Sequence, residues 1–219
     1  MTRIKICGIK KEEHAVAVAG AGADFMGFVF APSPRQVTPS QVKKIVAALK
    51  NAGAEIEKVV VFTDTPLTTI LHIAQTCELD WIQLSGDEPG AFCSELARPV
   101  IKVIRISRNY RPDDICRQMD YFSKLLGNQR HIFMLDSSAR GKYGGTGQKF
   151  DWKHARFIAE RFPVMVAGGL TPENVTEAME IMKPWGVDVS SGVETQGVKD
   201  LEKIHRFIDN VRKHDAASA

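Results

Sequence analysis

No apolar run in this chain of 219 residues approaches the roughly 18 residues that a helix needs to cross a bilayer. The segment from Met1 to Cys7 also lacks the apolar stretch of an export signal. Cysteine is scarce and dispersed. Cys7, Cys77, Cys93 and Cys116 stand far apart without a C-x-x-C pair, which argues against a structural zinc site and against a secreted disulfide framework. A reducing cytoplasm is the expected setting. Lys and Arg are scattered, without the basic-aromatic clusters that single-strand binding needs, and a net charge of +3 is too mild for a nucleic-acid binder, although it slightly favours an anionic small molecule. No glycine run ends in G-K-[ST], so a P-loop is excluded. Linkers and low-complexity tracts are missing as well. With 44% hydrophobic and 25% charged residues, the composition is that of one ordinary globular domain with an ample core.

What is present is alternation. Short Val/Ile-rich runs recur near 3–7, 25–30, 57–62, 80–84, 100–106, 131–135, 163–167 and 186–190. Their near-continuous apolarity suits strands of a parallel sheet buried on both faces. Amphipathic or Ala-rich stretches separate them, such as Lys11–Ala21, Val42–Ala52 and Asn174–Met182. In the second of these, Val42, Ile45, Val46 and Leu49 share one helical face. Pro39, Pro66, Pro89, Pro112 and Pro172 sit where helices would begin, and Thr65 and Thr171 are placed as caps before two of them. Eight strand–helix units of roughly 27 residues match a single (β/α)8 TIM barrel, here over residues 1–213 with a frayed tail at 214–219. An open doubly wound sheet would carry G-x-G-x-x-G after its first strand, and Cys7-Gly8-Ile9-Lys10 is no such turn.

In such a barrel, chemistry collects at the C-terminal ends of the strands. Cys7 ends the first strand, beside Gly8, with Lys5 one layer deeper on the same face. Inert packing and a reactive thiol both fit it, and the nearby ammonium would bring the thiol toward useful basicity. Asp136 follows the sixth run, either facing the barrel mouth or capping the next turn. With Cys7 it would complete an acid–base pair. The run Gly141 to Gly147, including Gly145 and Gly147, has the freedom of a loop that closes over a ligand. Two prolines stiffen the loop carrying Arg35, whose guanidinium is suited to bidentate capture of a carboxylate. Gly168-Gly169 and Ser191-Gly192 follow the last two strands, the usual phosphate grip of a barrel. Strands one and eight adjoin in a closed barrel, so Lys5 and Asp188 can pair across the seam. The alternative places them at opposite rims.

Taken together, Lys5-Ile6-Cys7-Gly8-Ile9, Ser33-Pro34-Arg35, Ile82-Gln83-Leu84, Leu135-Asp136-Ser137, Gly144-Gly145-Thr146-Gly147, Phe150-Asp151-Trp152, Ala167-Gly168-Gly169-Leu170 and the segment Asp188 to Glu194 resemble the phosphoribosylanthranilate isomerases. The likeness spans nearly the whole chain. It departs at Ser85, where that family often has a histidine. The resemblance implies an Amadori rearrangement of N-(5-phosphoribosyl)anthranilate in tryptophan biosynthesis, with Asp136 as general acid, Cys7 as general base and Arg35 on the anthranilate carboxylate. It also implies a phosphosugar as small-molecule partner, and no metal or organic cofactor, nucleic acid or membrane. Monomer and homodimer both remain open. A histidine-pathway isomerase would favour an aspartate at Cys7, a lyase-type barrel would need several catalytic Lys and Glu residues, and a non-catalytic phosphosugar binder need not keep both Cys7 and Asp136.

Overall fold

A computed structural model describes residues 1–107, 110–137 and 152–218. Strands β1 (Arg3–Cys7), β2 (Phe25–Val29), β3 (Glu57–Phe62), β4 (Trp81–Leu84), β5 (Val100–Ile106), β6 (His131–Ser137), β7 (Val164–Val166) and β8 (Gly186–Val189) close into a parallel barrel in sequence order, with β8 returning to β1. Helices α1 (Glu12–Gly20), α2 (Pro39–Asn51), α3 (Leu67–Thr76), α4 (Gly90–Ser94), α5 (Pro112–Leu126), α6 (Trp152–Arg161), α7 (Val175–Met182) and α8 (Leu201–Ala217) surround it. A 3-10 turn at Ser191–Val193 and a ribbon of two short strands, β9 (Glu194–Thr195) and β10 (Val198–Lys199), separate β8 from α8.

The strand pleat sorts each residue to one of two cores. Ile4 and Ile6 of β1 face the helices and join the apolar layer that receives Val42, Ile45, Val46 and Leu49 of α2. Thr38 starts that helix with a reciprocal cap. Its hydroxyl accepts from the Gln41 backbone N–H at 3.3 Å, while its own N–H donates to Gln41 Oε1 at 2.9 Å. The inward residues Phe25, Val59, Trp81, Ile101, Val103, Ile132, Met134 and Met165 fill the barrel interior. Trp81 meets Phe25 edge-on at 5.7 Å and is fully buried, so the lower barrel is packed shut rather than open as a pore.

Three sequence expectations are corrected. Thr171-Pro172 does not begin α7. The Asn174 side chain accepts from the Thr171 N–H and donates to the Gly169 carbonyl, both at 2.9 Å, and this turn delays the helix to Val175. Thr65 is no cap either, because its hydroxyl donates to the Thr63 carbonyl. Nor does the chain fray from His214. Helix α8 runs to Ala217, because Asp215 accepts from the Thr2 N–H at 2.8 Å and the Thr2 hydroxyl at 2.7 Å.

The barrel seam is ionic. Lys5 and Asp188 are register partners, and Lys5 Nζ lies 2.7 Å from Asp188 Oδ1 with the lysine fully buried. The opposite-rim alternative is thereby excluded. Burial pulls the ammonium toward neutrality, but Asp188 and Cys7 more than offset it, and Lys5 titrates above its ordinary range. Removing one partner of such a pair strands a buried charge. Asp188→Asn is therefore expected to destabilise the barrel by about 3–5 kcal/mol in urea denaturation. A loss below about 1 kcal/mol, the range of an exposed pair, would contradict the buried seam.

Candidate active site

Cys7, Arg35, Asp136, Gly168, Gly169, Ser191 and Gly192 line one cavity at the C-terminal end of the barrel, together with Val61, Gln83, Ser85, Arg105 and Asp188. The opposite end also has a depression, but its charges satisfy one another in pairs such as Arg3–Asp24 and Lys58–Asp80. Gly145 and Gly147 lie outside the described residues, as does the rest of the loop from Gly141 to Gly147.

Cys7 sits above the seam pair, and what gives it room is a glycine on the neighbouring strand. Gly27 is its register partner, and a Cβ there would lie 2.7 Å from Cys7 Sγ and 3.1 Å from Lys5 Nζ. Sequence reading passed over Gly27, although a glycine inside a strand is the usual mark of a close approach. Burial lifts the Cys7 thiol above its ordinary range. Lys5 and Lys199 act against that lift, and Asp188 adds to it. The expectation that the Lys5 ammonium would bring the thiol toward useful basicity is corrected: desolvation in the barrel mouth outweighs the neighbouring ammonium.

Asp136 faces the mouth because β6 continues to Ser137, held by its pairing with Ile106 of β5. The turn-capping alternative thus gives way to the inward one. Its carboxyl is pushed up to about 6, chiefly by burial and then by the Asp188 charge, while the Ser137 N–H, Arg105 and Lys5 restrain the rise. Gly168, with φ of +87°, crosses directly above, and a Cβ there would be 2.7 Å from Asp136 Oδ1. Gly192 packs still more tightly. Its missing Cβ would sit 1.8 Å from the Leu170 carbonyl oxygen, so the two glycine turns interlock side by side.

Arg35 reaches the mouth from the β2–α2 loop with its stem against Gly8, where a Cβ would approach Arg35 Cδ to 2.6 Å. Its side-on edge is already engaged. Nε donates to Glu194 Oε1 and Nη2 to Glu194 Oε2, each at 2.7 Å. Sequence reading quoted Glu194 only as part of a motif and missed Lys199 altogether, whose Nζ donates to the same Glu194 Oε1 at 2.7 Å. No sequence spacing joins Arg35 to either residue. Ser85, at the position of the expected histidine, accepts at Oγ from Gln83 Nε2 at 3.1 Å, and its carbonyl accepts from Arg105. Among the described residues, no group of three or more His, Cys, Asp or Glu side chains could hold a metal ion, and no helix is long and apolar enough to cross a membrane.

The family model for N-(5'-phosphoribosyl)anthranilate (PRA) isomerase matches residues 4–210. The chain belongs to the N-(5'-phosphoribosyl)anthranilate isomerase family. Its members are isomerases of tryptophan biosynthesis that interconvert an aldose and a ketose, and this chain is an enzyme of that class. It is 41% identical over 215 residues to the N-(5'-phosphoribosyl)anthranilate isomerase of Dehalococcoides mccartyi, covering 98% of each chain. It is 44% identical over 218 residues to that of Roseiflexus sp., covering 97% of this chain and 98% of the relative. The crystal structure of phosphoribosyl anthranilate isomerase from Thermotoga maritima superposes with a TM-score of 0.83 at 34% identity, over 97% of this chain and all of the other. A phosphoribosyl anthranilate isomerase in complex with reduced 1-(o-carboxyphenylamino)-1-deoxyribulose 5-phosphate superposes at 0.80 with 33% identity, over 97% and 100%.

A carboxyl that titrates higher in the folded chain than in the unfolded one loses stability as pH rises through its folded value. Asp136 therefore works against the fold above about pH 6. Asp136→Asn is expected to stabilise the protein by up to about 3 kcal/mol at pH 7, the equivalent of a shift of about two pKa units. That gain should vanish below about pH 4, where both states carry a neutral acid. Urea denaturation at the two pH values checks this, and equal stabilities at pH 7 would contradict the burial of the carboxylate.

Proposed function

We propose that the chain rearranges N-(5-phosphoribosyl)anthranilate to 1-(2-carboxyphenylamino)-1-deoxyribulose 5-phosphate, with Asp136 as general acid and Cys7 as general base. The observation that carries this reading is the convergence of Cys7 from β1 and Asp136 from β6 on one mouth, walled by the interlocked turns at Gly168-Gly169 and Ser191-Gly192. Those turns follow the strands after which barrels commonly hold a phosphate. The related enzyme bound to reduced 1-(o-carboxyphenylamino)-1-deoxyribulose 5-phosphate supports the same substrate class.

Asp136 gives its proton to the furanose ring oxygen. The C1–O bond breaks as the anthranilate nitrogen lone pair forms a C1=N iminium. The C2 proton, acidified by the adjacent cation, passes to the Cys7 thiolate, and the C2–H electrons become the C1=C2 bond of an enolamine while the nitrogen regains its lone pair. Tautomerisation moves the hydroxyl proton at C2 to C1 and leaves the ketone. The acid ends ionised and the thiol protonated, so one proton must return to Asp136 before the next turnover. No redox or group-transfer partner enters, because the reaction is an isomerisation.

The environments of the two groups, both of which raise the titration by burial, set the pH dependence. Asp136 titrates near 6 and Cys7 above its ordinary range, so the working form, with acid protonated and thiol ionised, is the minor tautomer of the singly protonated site. The logarithm of kcat/KM is expected to rise through about pH 6 and fall only above the thiol's range. Cys7→Ala should lower turnover by about 10²–10⁴-fold in a folded protein. Asp136→Asn should do the same and abolish the limb near 6. Near-normal turnover in Cys7→Ala, or an unchanged acid limb in Asp136→Asn, would move the role elsewhere.

Arg35 is the group for the anthranilate carboxylate. A charge-assisted hydrogen bond contributes about 1.5–3 kcal/mol, so Arg35→Ala is expected to weaken substrate binding by roughly 10–150-fold. An equal loss for an analogue lacking the carboxylate would show that Arg35 serves only the loop.

A further inference from the structure

Glu194 and Lys199 take no part in proton transfer, yet they are the most elaborately held charges beside the site. The ribbon that carries them has two residues per strand, joined through Gln196 and Gly197 at φ of +52° and +77°. Its register sets Lys199 directly opposite Glu194. The ribbon is moored to α8, since the Asp200 N–H donates to the Val193 carbonyl at 3.0 Å, Thr195 Oγ1 to Asp200 Oδ2 at 2.6 Å, and Lys203 Nζ to the Glu194 carbonyl at 2.9 Å. Lys199 Nζ also donates to the Ser190 carbonyl at 2.9 Å. The side chains of Glu194 and Lys199 are 6% and 3% exposed.

One buried carboxylate therefore serves two cations. A guanidinium has two edges that accept a carboxylate in bidentate fashion, one side-on through Nε and one Nη, the other end-on through both Nη groups. Glu194 occupies the side-on edge. Nη1 carries no hydrogen bond among the described residues, so the end-on edge is left for a ligand. Arg35, Lys199 and Glu194 together carry a surplus of one positive charge, which a single carboxylate neutralises. Without Lys199, a carboxylate arriving at Arg35 would place two anions on one guanidinium.

We propose that Glu194, with Lys199 as its counter-charge, is the positioning residue that orients Arg35 and presents its end-on edge to the substrate carboxylate. The short ribbon thereby becomes a specificity element for carboxylate-bearing substrates. This rests on the reading that Arg35 binds the anthranilate carboxylate. An arginine held in advance loses less side-chain freedom on binding, so the gain appears as affinity rather than turnover.

The test compares Glu194→Gln, Arg35→Ala and the double variant on two ligands. These are the reduced product 1-(2-carboxyphenylamino)-1-deoxyribitol 5-phosphate and its phenylamino counterpart without the carboxyl group. Glu194→Gln is expected to raise KM for the substrate about 10-fold or more with a much smaller change in kcat, to weaken the carboxylated ligand alone, and to add nothing in the Arg35→Ala background. Because Glu194→Gln strands a buried ammonium, Glu194→Gln/Lys199→Met serves as the variant without an unpaired charge, and it should show the same selective loss. Arg35→Ala losing the carboxylated ligand selectively, while both Glu194 variants weaken the two ligands equally, bind normally or add fully to Arg35→Ala, would overturn the positioning role alone. Arg35→Ala weakening the two ligands equally would overturn the carboxylate reading first, and this inference with it.

Discussion

The ion pair between Lys5 and Asp188 joins the first strand to the last and sits directly beneath the Cys7 thiol. A barrel interior is otherwise filled by packed side chains, and here Trp81, Phe25 and Met165 do that filling below the pair. An ammonium in that position is tolerable only with a partner. Once Asp188 supplies it, the pair serves two ends. It fixes the seam, and it puts one cation and one anion within electrostatic reach of both Cys7 and Asp136. The positive end favours thiolate at Cys7, and the negative end favours the neutral acid at Asp136.

The rest of the mouth follows the same logic, in which glycine supplies proximity and buried charge supplies tuning. Gly27 lets Cys7 approach Lys5, Gly168 lets the chain cross over Asp136, and Gly192 lets the β8 turn touch the carbonyl of the β7 turn. Each replaces a side chain with space that a neighbouring functional atom or backbone occupies. Beyond this inner ring, the Arg35–Glu194–Lys199 group repeats the balance of the seam at larger radius, with two cations held by one acid. Burial raises both titrations, which keeps a proton on Asp136 toward neutral pH and disfavours the thiolate at Cys7. For Asp136 this is a stability cost at neutral pH, located at the candidate site, as is common for perturbed groups in clefts.

The fold is largely legible in the sequence. Parallel strands buried on both faces advertise themselves as apolar runs, and the α2 face at Val42, Ile45, Val46 and Leu49 follows from helical period alone. Helix starts were less legible where side chains compete for the same backbone groups. The Asn174 bonds that postpone α7 depend on where the Gly169 carbonyl points, which no local pattern encodes. The end of α8 is hidden from the sequence for a related reason. Asp215, held by the N–H and hydroxyl of Thr2 and by Arg212, ties the last turn to the start of the chain, a long-range contact with no local signature.

For the site, strand ends and residue types were sufficient to nominate Cys7, Asp136, Arg35 and the two glycine turns, because a barrel brings all its C-terminal strand ends to one rim. Strand alternation was likewise sufficient to foresee Lys5 facing Asp188, since pairing between β1 and β8 follows from closure. What sequence determined was thus which side chains point inward and at what height. Tertiary structure alone decided the environment each one meets. Desolvation lifts the Cys7 thiol despite Lys5, the carboxylate that grips Arg35 comes from a ribbon 159 residues away in the chain, and Gly27 matters only because β2 lies against β1. Desolvation and through-space charge depend on how much low-dielectric material closes around a group and on which ions share it. Neither is a property of neighbours along the chain.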